Sequence, residues 1–210
     1  MEKTADIVFN VLIEGSKQGY IGEKISQLEH SLQAAAQAVE AKADDETVLA
    51  ALLHDIGQFS TAADQMLCDA NSVEGDESEG SKKKISVGVK GHERIGAEYL
   101  RNLGFSEKVA QLVESHVPVK RYLTGKDATY YESLSGASKL SLKYQGGPFT
   151  PEEVAEFEKD PLFEQKVQLR RWDDAAKVVD LKVPDLEFYR PILVNHLLSQ
   201  ADTKKATVVA

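Results

Sequence analysis

Four of the five histidines in this chain stand on or beside stretches with the apolar periodicity of helices. They are His30, His54, His92 and His116, and Asp55 directly follows His54. Neutral imidazole beside a carboxylate suits a divalent or trivalent metal ion, whereas a buried carboxylate without a cationic partner is costly. A single histidine on an apolar face is more often a hydrogen-bonded core residue. Four of them with an adjacent aspartate indicate a metal site, in which Asp55 could bridge two metal ions with two histidines on each side.

Helices must position these side chains, because no alternation typical of strands persists along the chain. Capping-box patterns begin at Ser26 and Thr150, and Asp44 or Asp45 can begin the helix that carries the central dipeptide. Pro118 is expected to break the helix that contains His116. The predicted helices cover residues 5–15, 26–39, 44–55, 91–104, 106–116, 128–142, a stretch opening at 150, 162–179 and 186–198.

The predicted fold class is therefore all-α, with a single helical bundle over residues 1–200. Residues at about 60–90 lose the periodicity, and their acidic segment at 71–81 is rich in small side chains. We expect a long flexible insertion there, since such a composition buries little apolar surface. The tail at 201–210 is expected to be disordered.

Composition excludes several classes of partner. The net charge of -9 argues against nucleic acid, because affinity for the phosphate backbone comes from clustered Lys and Arg. No apolar run approaches the length of a membrane span, and the first residues lack the basic-then-apolar pattern of a signal peptide. The single cysteine, Cys68, fits a reducing compartment. We expect a cytoplasmic protein that acts on a small molecule, and the sequence leaves its oligomeric state open.

The order of these residues resembles the HD-domain superfamily of metal-dependent helical proteins. A set of four histidines and two aspartates resembles the branch that holds two irons in a mixed-valent Fe(II)/Fe(III) state and uses dioxygen. That branch includes myo-inositol oxygenase and the phosphonate-cleaving oxygenases. The resemblance implies that one iron is bound by His30, His54 and Asp173, that the other is bound by His92 and His116, and that Asp55 bridges them. Asp173 is preferred over Asp174 because a lysine follows it by four residues, as in the family pattern.

Residues outside the ligand set make the resemblance more specific, and matching blocks extend over residues 20–177. They are similar to the phosphonate-cleaving enzymes of the 2-amino-1-hydroxyethylphosphonate dioxygenase type. By this resemblance Tyr20 and Lys120 are catalytic residues, with Tyr20 able to occupy an open iron position when substrate is absent. The implied substrate contacts are Glu23, Gln58, Lys120, Ser138, Ser141 and Arg170.

Chemistry agrees with these assignments. Lysine, arginine and hydroxyl donors suit phosphonate oxygens, and Glu23 could pair with a substrate ammonium, which favours an aminoalkyl phosphonate over inositol. The alternative is that Lys120, Arg121 and Arg170 are surface charges and that Ser138 and Ser141 are ordinary polar residues of a helix. Gln58 departs from the pattern, because these enzymes commonly carry a histidine at that position.

The expected function is a diiron oxygenase that uses O2 to cleave the carbon–phosphorus bond of a 1-hydroxy-2-aminoalkylphosphonate, releasing phosphate and glycine. The main alternative is a metal-dependent HD phosphohydrolase acting on a nucleotide or another phosphate monoester, since the same ligands could activate water. A non-catalytic ligand-binding HD module and inositol-type ring cleavage are further alternatives.

Overall fold

A computed structural model describes residues 1–15, 17, 24–59, 65–69 and 84–209, with the backbone alone at 65–69, 84–87 and 207–209. Most of the described residues are helical, which confirms the all-α fold class. No helix among them is long and apolar enough to cross a membrane. The helices are α1 (Glu2–Gly15), α2 (Gln27–Glu40), α3 (Asp45–Leu53), α4 (His92–Leu103), α5 (Glu107–Lys126), α6 (Ala128–Ser133), α7 (Gly136–Tyr144), α8 (Pro151–Phe157), α9 (Phe163–Ala175), α10 (Leu186–Val209) and a 3₁₀ turn at Ile56–Phe59.

Polar side chains begin several helices where the sequence predicts them. The Ser26 hydroxyl accepts from the backbone N–H of Glu29, whose carboxylate accepts from the Ser26 N–H at 2.6 Å. Asp44 caps α3, and Thr150 caps α8 with a second capping box. Because these side chains satisfy N–H groups that have no partner within the helix, they fix the residue at which each helix begins. The cap of α2 thus sets where His30 enters the bundle.

Helix α5 continues through Pro118, so the predicted break is wrong. Proline in a helix interior removes one hydrogen bond and costs about 3 kcal/mol. Val117 and Val119 are buried on either side of it, and packing of this kind can outweigh the lost bond. As a result Lys120 follows His116 by one turn of the same helix.

Two other predicted helices are shorter than expected. The stretch at 128–142 is divided into α6 and α7, because Ser135 caps the first turn of α7. The helix predicted at 162–179 ends earlier than expected, at Ala175, the last residue of α9. Beyond it, the Gln33 amide donates to the Val178 carbonyl at 2.7 Å and accepts from the Val178 N–H at 3.0 Å. This pair of bonds ties the chain to α2 in a non-helical conformation.

The predicted insertion at 60–90 contains two strands that the sequence analysis did not predict. They are β1 (Gln65–Asp69) and β2 (Lys84–Val89), which pair antiparallel with an irregular register near Gln65. The residues between them lie outside the described part of the chain, so flexibility there stays a prediction. The tail also differs from expectation, because α10 continues as helix to Val209.

Helix α3 lies at the centre of the core. Its Leu49, Leu52 and Leu53 are completely buried among residues from α1, α2, α5, α9 and α10. Directly after α3, the backbone of Gly57 approaches α4 so closely that a Cβ there would lie 2.0 Å from the carbonyl oxygen of His92. Only glycine allows this approach, which holds the end of α3 against the start of α4.

Candidate metal and substrate site

The six side chains that the sequence analysis named as metal ligands meet in one buried cluster. They come from α2, the end of α3, α4, α5 and α9, and none is more than 4% exposed. Their potential ligand atoms form two groups, each within 4.8 Å: His30, His54 and Asp173 in one, and Asp55, His92 and His116 in the other.

Asp55 lies between the two groups. Its Oδ1 is 3.4 Å from the Nε2 atoms of both His92 and His116. Its Oδ2 is 3.9 Å from Nε2 of His30 and 3.8 Å from Nε2 of His54. Each carboxylate oxygen therefore faces a different pair of imidazoles, which is the arrangement required of a carboxylate that bridges two cations.

Backbone carbonyls orient all four imidazoles. A carbonyl oxygen can only accept, so each Nδ1 carries the ring proton, and Nε2 of the neutral ring presents a lone pair. Contacts of this kind fix the tautomer and orientation of metal-binding histidines. The Nδ1 contacts are 2.8–2.9 Å long and run from His30 to Ala176, from His54 to Ala51, from His92 to Val89 and from His116 to Val113.

The electrostatics favour anionic carboxylates and a neutral imidazole at His54. At His30 and His92 burial by itself lowers the pKa, but the neighbouring carboxylates outweigh it and raise that pKa above its usual value. Burial by itself raises the pKa of Asp55, but His54 and the other imidazoles outweigh it and hold that pKa well below its usual range. The pKa of Asp173 is likewise held well below its usual range, because Arg170 outweighs the effect of burial. Burial lowers the pKa of His54 to about 4. Anionic oxygen and neutral nitrogen are the forms that bind metal ions.

The donor set fits two metal ions. The Nε2 atoms of His30 and His54 are 3.0 Å apart and those of His92 and His116 are 2.8 Å apart. When the rings are neutral, the two Nε2 lone pairs of each pair converge at that separation, and a shared metal cation could accept both. Imidazole and carboxylate together suit iron and other transition metals.

Lys120 lies inside the protein, with its Nζ donating to the Ser141 hydroxyl at 2.9 Å. It is 4% exposed, so the alternative of a surface charge is wrong for this residue. Burial, together with the positive charge of the neighbouring Arg170, lowers its pKa to about 7. Near neutral pH this ammonium can therefore exchange its proton.

Arg170 is also buried, and carboxylates occupy both edges of its guanidinium group. Its Nη1 is 2.8 Å from Oδ2 of Asp173, and its Nη2 is 2.5 Å from Oδ1 of Asp174. The hydroxyl of Tyr130 donates to Oδ2 of Asp174 at 2.5 Å. Arg170 is thus already paired within the protein, whereas the sequence analysis expected it to contact substrate.

A cavity of about 60 Å³ opens beside the two groups. Five predicted substrate contacts line it: Gln58, Lys120, Ser138, Ser141 and Arg170. The Gln58 Oε1 accepts from the N–H of Val89 at 2.9 Å, so its NH2 group is the part of the amide that could donate to a ligand. Tyr20 and Glu23 lie outside the described residues, so their predicted roles stay predictions.

Six cavity-lining residues were not predicted as site residues, namely Gln27, Val117, Ser135, Ala137, Gln145 and Lys177. Among the described residues, the buried Oε1 atoms of Gln27 and Gln145 have no hydrogen-bond partner. Sequence spacing could have identified both glutamines as site residues, because Gln27 precedes His30 by three residues in α2 and Gln145 follows Ser141 by four. Such spacing places a side chain on the same helix face as a known site residue.

Comparison with known proteins connects this geometry to a family. Residues 28–135, about half of the chain, match the family model of the HD domain. A hydroxymethylphosphonate dioxygenase of Gimesia maris is 41% identical over 85% of this chain and 81% of its own length. A [1-hydroxy-2-(trimethylamino)ethyl]phosphonate dioxygenase (glycine-betaine-forming) of Leisingera caerulea is 37% identical over 83% of this chain and 80% of its own length. Protein L432 of Acanthamoeba polyphaga mimivirus is 34% identical over 93% of this chain and 82% of its own length.

Proposed function

The chain belongs to the HD-domain family, in its dioxygenase branch, and on that premise we propose that it cleaves the carbon–phosphorus bond of a 1-hydroxy-2-aminoalkylphosphonate with O2 and two bound irons. With 2-amino-1-hydroxyethylphosphonate, one O2 would be consumed for each phosphate and glycine formed. C1 is oxidised from the level of an alcohol to a carboxylate, the bond from C1 to phosphorus breaks, and O2 supplies the two added oxygen atoms.

The position of Asp55 is the observation that carries the proposal. Its two oxygens face two separate pairs of imidazoles, at 3.4 Å on one side and 3.8–3.9 Å on the other. With Asp173 on the Oδ2 side, this supports one metal ion held by His30, His54 and Asp173 and a second held by His92 and His116, with Asp55 as the shared ligand. The irons, when bound, would supply the redox chemistry with dioxygen.

The protein's own residues would bind and orient the phosphonate. Lys120 provides a buried positive charge next to Ser141, and Ser138 lies on the same wall of the cavity. A charged hydrogen bond from a desolvated ammonium to a phosphonate oxygen is stronger than a neutral one, so Lys120 would be the main determinant of phosphonate affinity. Gln58 would add an N–H donor, and Arg170 would act mainly by orienting Asp173.

The amine on the substrate is the least supported part of the proposal, since it depends on Glu23. Hydroxymethylphosphonate is a second candidate substrate, favoured by the 41% identity to an enzyme named for it and by the small cavity. The same overall reaction would convert its single carbon to formate.

The test compares three substrates with and without oxygen. Iron-loaded protein is incubated with hydroxymethylphosphonate, 2-amino-1-hydroxyethylphosphonate or its trimethylated analogue, and phosphate, O2 consumption and the organic product are measured. We expect phosphate release only in air, with one O2 consumed per phosphate, and highest kcat/KM with the primary amine. Preference for hydroxymethylphosphonate would select the second candidate.

Two controls separate the alternatives. Glu23→Gln should raise KM for the aminated substrate and leave KM for hydroxymethylphosphonate unchanged, and equal effects on both would remove the argument for an amine. Equal phosphate release under strict anaerobiosis, or turnover of a phosphate monoester with Mg²⁺ or Mn²⁺ alone, would contradict the oxygenase and support a phosphohydrolase.

A further inference from the structure

Tyr130, Asp174 and Arg170 form a hydrogen-bonded chain that ends on the candidate ligand Asp173. The Tyr130 hydroxyl donates to Oδ2 of Asp174 at 2.5 Å and lies 3.1 Å from Nε of Arg170. Arg170 contacts Asp174 through Nη2 at 2.5 Å and through Nε at 3.2 Å. The opposite side of the guanidinium contacts Asp173.

This hydrogen-bonded chain of side chains determines which oxygen of Asp173 faces the imidazoles. Nη1 of Arg170 lies 2.8 Å from Oδ2 of Asp173. The other oxygen of Asp173, Oδ1, lies 3.3 Å from Nε2 of His30 and 3.9 Å from Nε2 of His54. A guanidinium group is planar and rigid, so fixing one edge on Asp174 fixes the direction of the other edge. Asp173 would otherwise be free to rotate and to present either oxygen to the imidazoles.

Tyr130 supplies the outer end of this arrangement from a different helix. It lies on α6, whereas Arg170, Asp173 and Asp174 lie on α9. Burial raises the pKa of Tyr130 above its usual value, so the phenol keeps its proton and remains a donor to Asp174. The hydroxyl thereby prevents the Asp174 carboxylate, and with it Arg170, from rotating.

We propose that Tyr130 and Asp174 are positioning residues that act through Arg170 to present Oδ1 of Asp173 to the metal held by His30 and His54. This inference rests on the proposed function, since it assumes a metal at that group. Loss of such an outer partner typically weakens metal affinity by about 10- to 100-fold. The effect should be confined to one of the two metals, because the hydrogen bonds of Tyr130, Asp174 and Arg170 do not extend to the group formed by His92 and His116.

The chain offers a matched control in the next residue. Tyr131 lies on the same helix, and its ring contacts Nζ of Lys139 at 5.2 Å from the centroid. Tyr131→Phe removes one hydroxyl from α6, as Tyr130→Phe does, but leaves the contacts to Asp174 and Arg170 intact. Asp174→Asn tests the middle member of the hydrogen-bonded chain and changes the size of the side chain very little.

The experiment counts iron by metal analysis in substrate-free protein, dialysed against increasing concentrations of a chelator. We expect wild type and Tyr131→Phe to release both irons at the same chelator concentrations. Tyr130→Phe and Asp174→Asn should release one iron at about 10- to 100-fold lower chelator and retain the other as wild type does. Circular dichroism with unchanged helical signal shows that each variant is folded.

The outcomes separate this inference from the proposed function. If wild type holds two irons and Tyr130→Phe retains both as tightly as Tyr131→Phe, the positioning role is wrong and the oxygenase proposal is unaffected. If Tyr130→Phe loses both irons in parallel, the effect is not specific to one group and the inference is also wrong. Wild-type protein that binds no iron would overturn both proposals.

Discussion

Lys120 is a buried cation whose charge the protein stabilises poorly. It is 4% exposed, its neighbour Arg170 is also positive, and burial lowers its pKa to about 7. An unfolded chain would hold the same proton to a much higher pH, because an exposed lysine titrates near 10.4. The folded protein therefore binds fewer protons than the unfolded chain between pH 7 and pH 10, and in that window stability rises with pH. Below about pH 7 the folded state bears the full cost of the buried charge.

Lys120→Met should raise the melting temperature, and the increase should be larger at pH 6 than at pH 9. At pH 6 the substitution removes a buried charge, whereas at pH 9 the lysine is already neutral in the folded state. Thermal unfolding monitored by circular dichroism at the two pH values measures the difference. Lys159→Met, an exposed site with the same change in net charge, is the control. An equal shift at both pH values would show that Lys120 does not titrate in this range.

The same lysine should control phosphonate binding. We expect Lys120→Met to raise KM by at least tenfold with a smaller effect on kcat, since a charged hydrogen bond contributes about 1.5–3 kcal/mol. Lys120→Arg keeps the charge at every pH, so its KM should not rise above pH 7 as that of wild type does. Steady-state kinetics from pH 6 to pH 9 test this expectation. A wild-type KM independent of pH would argue that Lys120 contributes little to binding.

At the scale of elements, the contact between the 3₁₀ turn and α4 sets the distance between the two halves of the site. A Cβ on Gly57 would lie 2.0 Å from the carbonyl oxygen of His92, and a Cβ on Gly96 would lie 3.1 Å from the N of Gly57. The first contact is with backbone and cannot be relieved by a rotamer change. The second is tight but small adjustments can accommodate it. Asp55 and His92 lie directly beside this contact in sequence.

A graded series of glycine substitutions tests that contact. Gly57→Ala should move α4 away, lengthen the distance from Asp55 to His92, and abolish binding of the metal held by His92 and His116. Gly96→Ala should have a milder effect, and Gly136→Ala, which meets nothing within 4 Å, should have none. Iron content and melting temperature of the three variants provide the measurement. A Gly57→Ala protein with normal iron content would contradict this account of how the site is held.

Helix α5 allows a test of local helix stability that is separate from function. Pro118→Ala restores a backbone N–H and should stabilise the protein by up to about 3 kcal/mol, while leaving Lys120 one turn from His116. Gly125→Ala in the same helix should destabilise, because its Cβ would lie 2.4 Å from the carbonyl oxygen of Phe149. Urea unfolding measures both free energies. Destabilisation by Pro118→Ala would show that the proline ring itself packs favourably.

At the scale of the whole molecule, the six candidate ligands connect five separate elements of the bundle. A metal bound only by the folded state stabilises it by mass action, by about 2.7 kcal/mol when the free metal is 100 times its dissociation constant. For a chain of this size that corresponds to a shift of about 5–10 °C in melting temperature. Chelation should therefore lower the melting temperature of iron-loaded protein by that amount. Asp55→Asn, which removes the shared ligand, should lose most of the iron-dependent shift, and a full shift in this variant would contradict a bridging role.

The sequence by itself determined the candidate ligand set and most of the helices that carry it. Caps at Ser26, Asp44 and Thr150 are local, because the capping side chain and the N–H groups it satisfies are three residues apart. The histidines and Asp55 could be assigned because few residue types bind metal and because their order matches a family. Helix caps and candidate metal ligands depend on residue type and on short-range spacing, and both can be read directly from the sequence.

Tertiary structure decided the features that depend on distant partners. Pro118 stays helical because buried side chains around it outweigh a local preference, and β1 pairs with β2 across residues far apart in sequence. Asp173 and Asp174 are adjacent carboxylates that sequence could separate only by a family pattern. Contacts with distant residues give them different surroundings, since one oxygen of Asp173 faces two imidazoles while Asp174 contacts Tyr130 of α6. The physical reason is that burial and charge pairing arise from three-dimensional neighbours, which residue types and spacing do not encode directly.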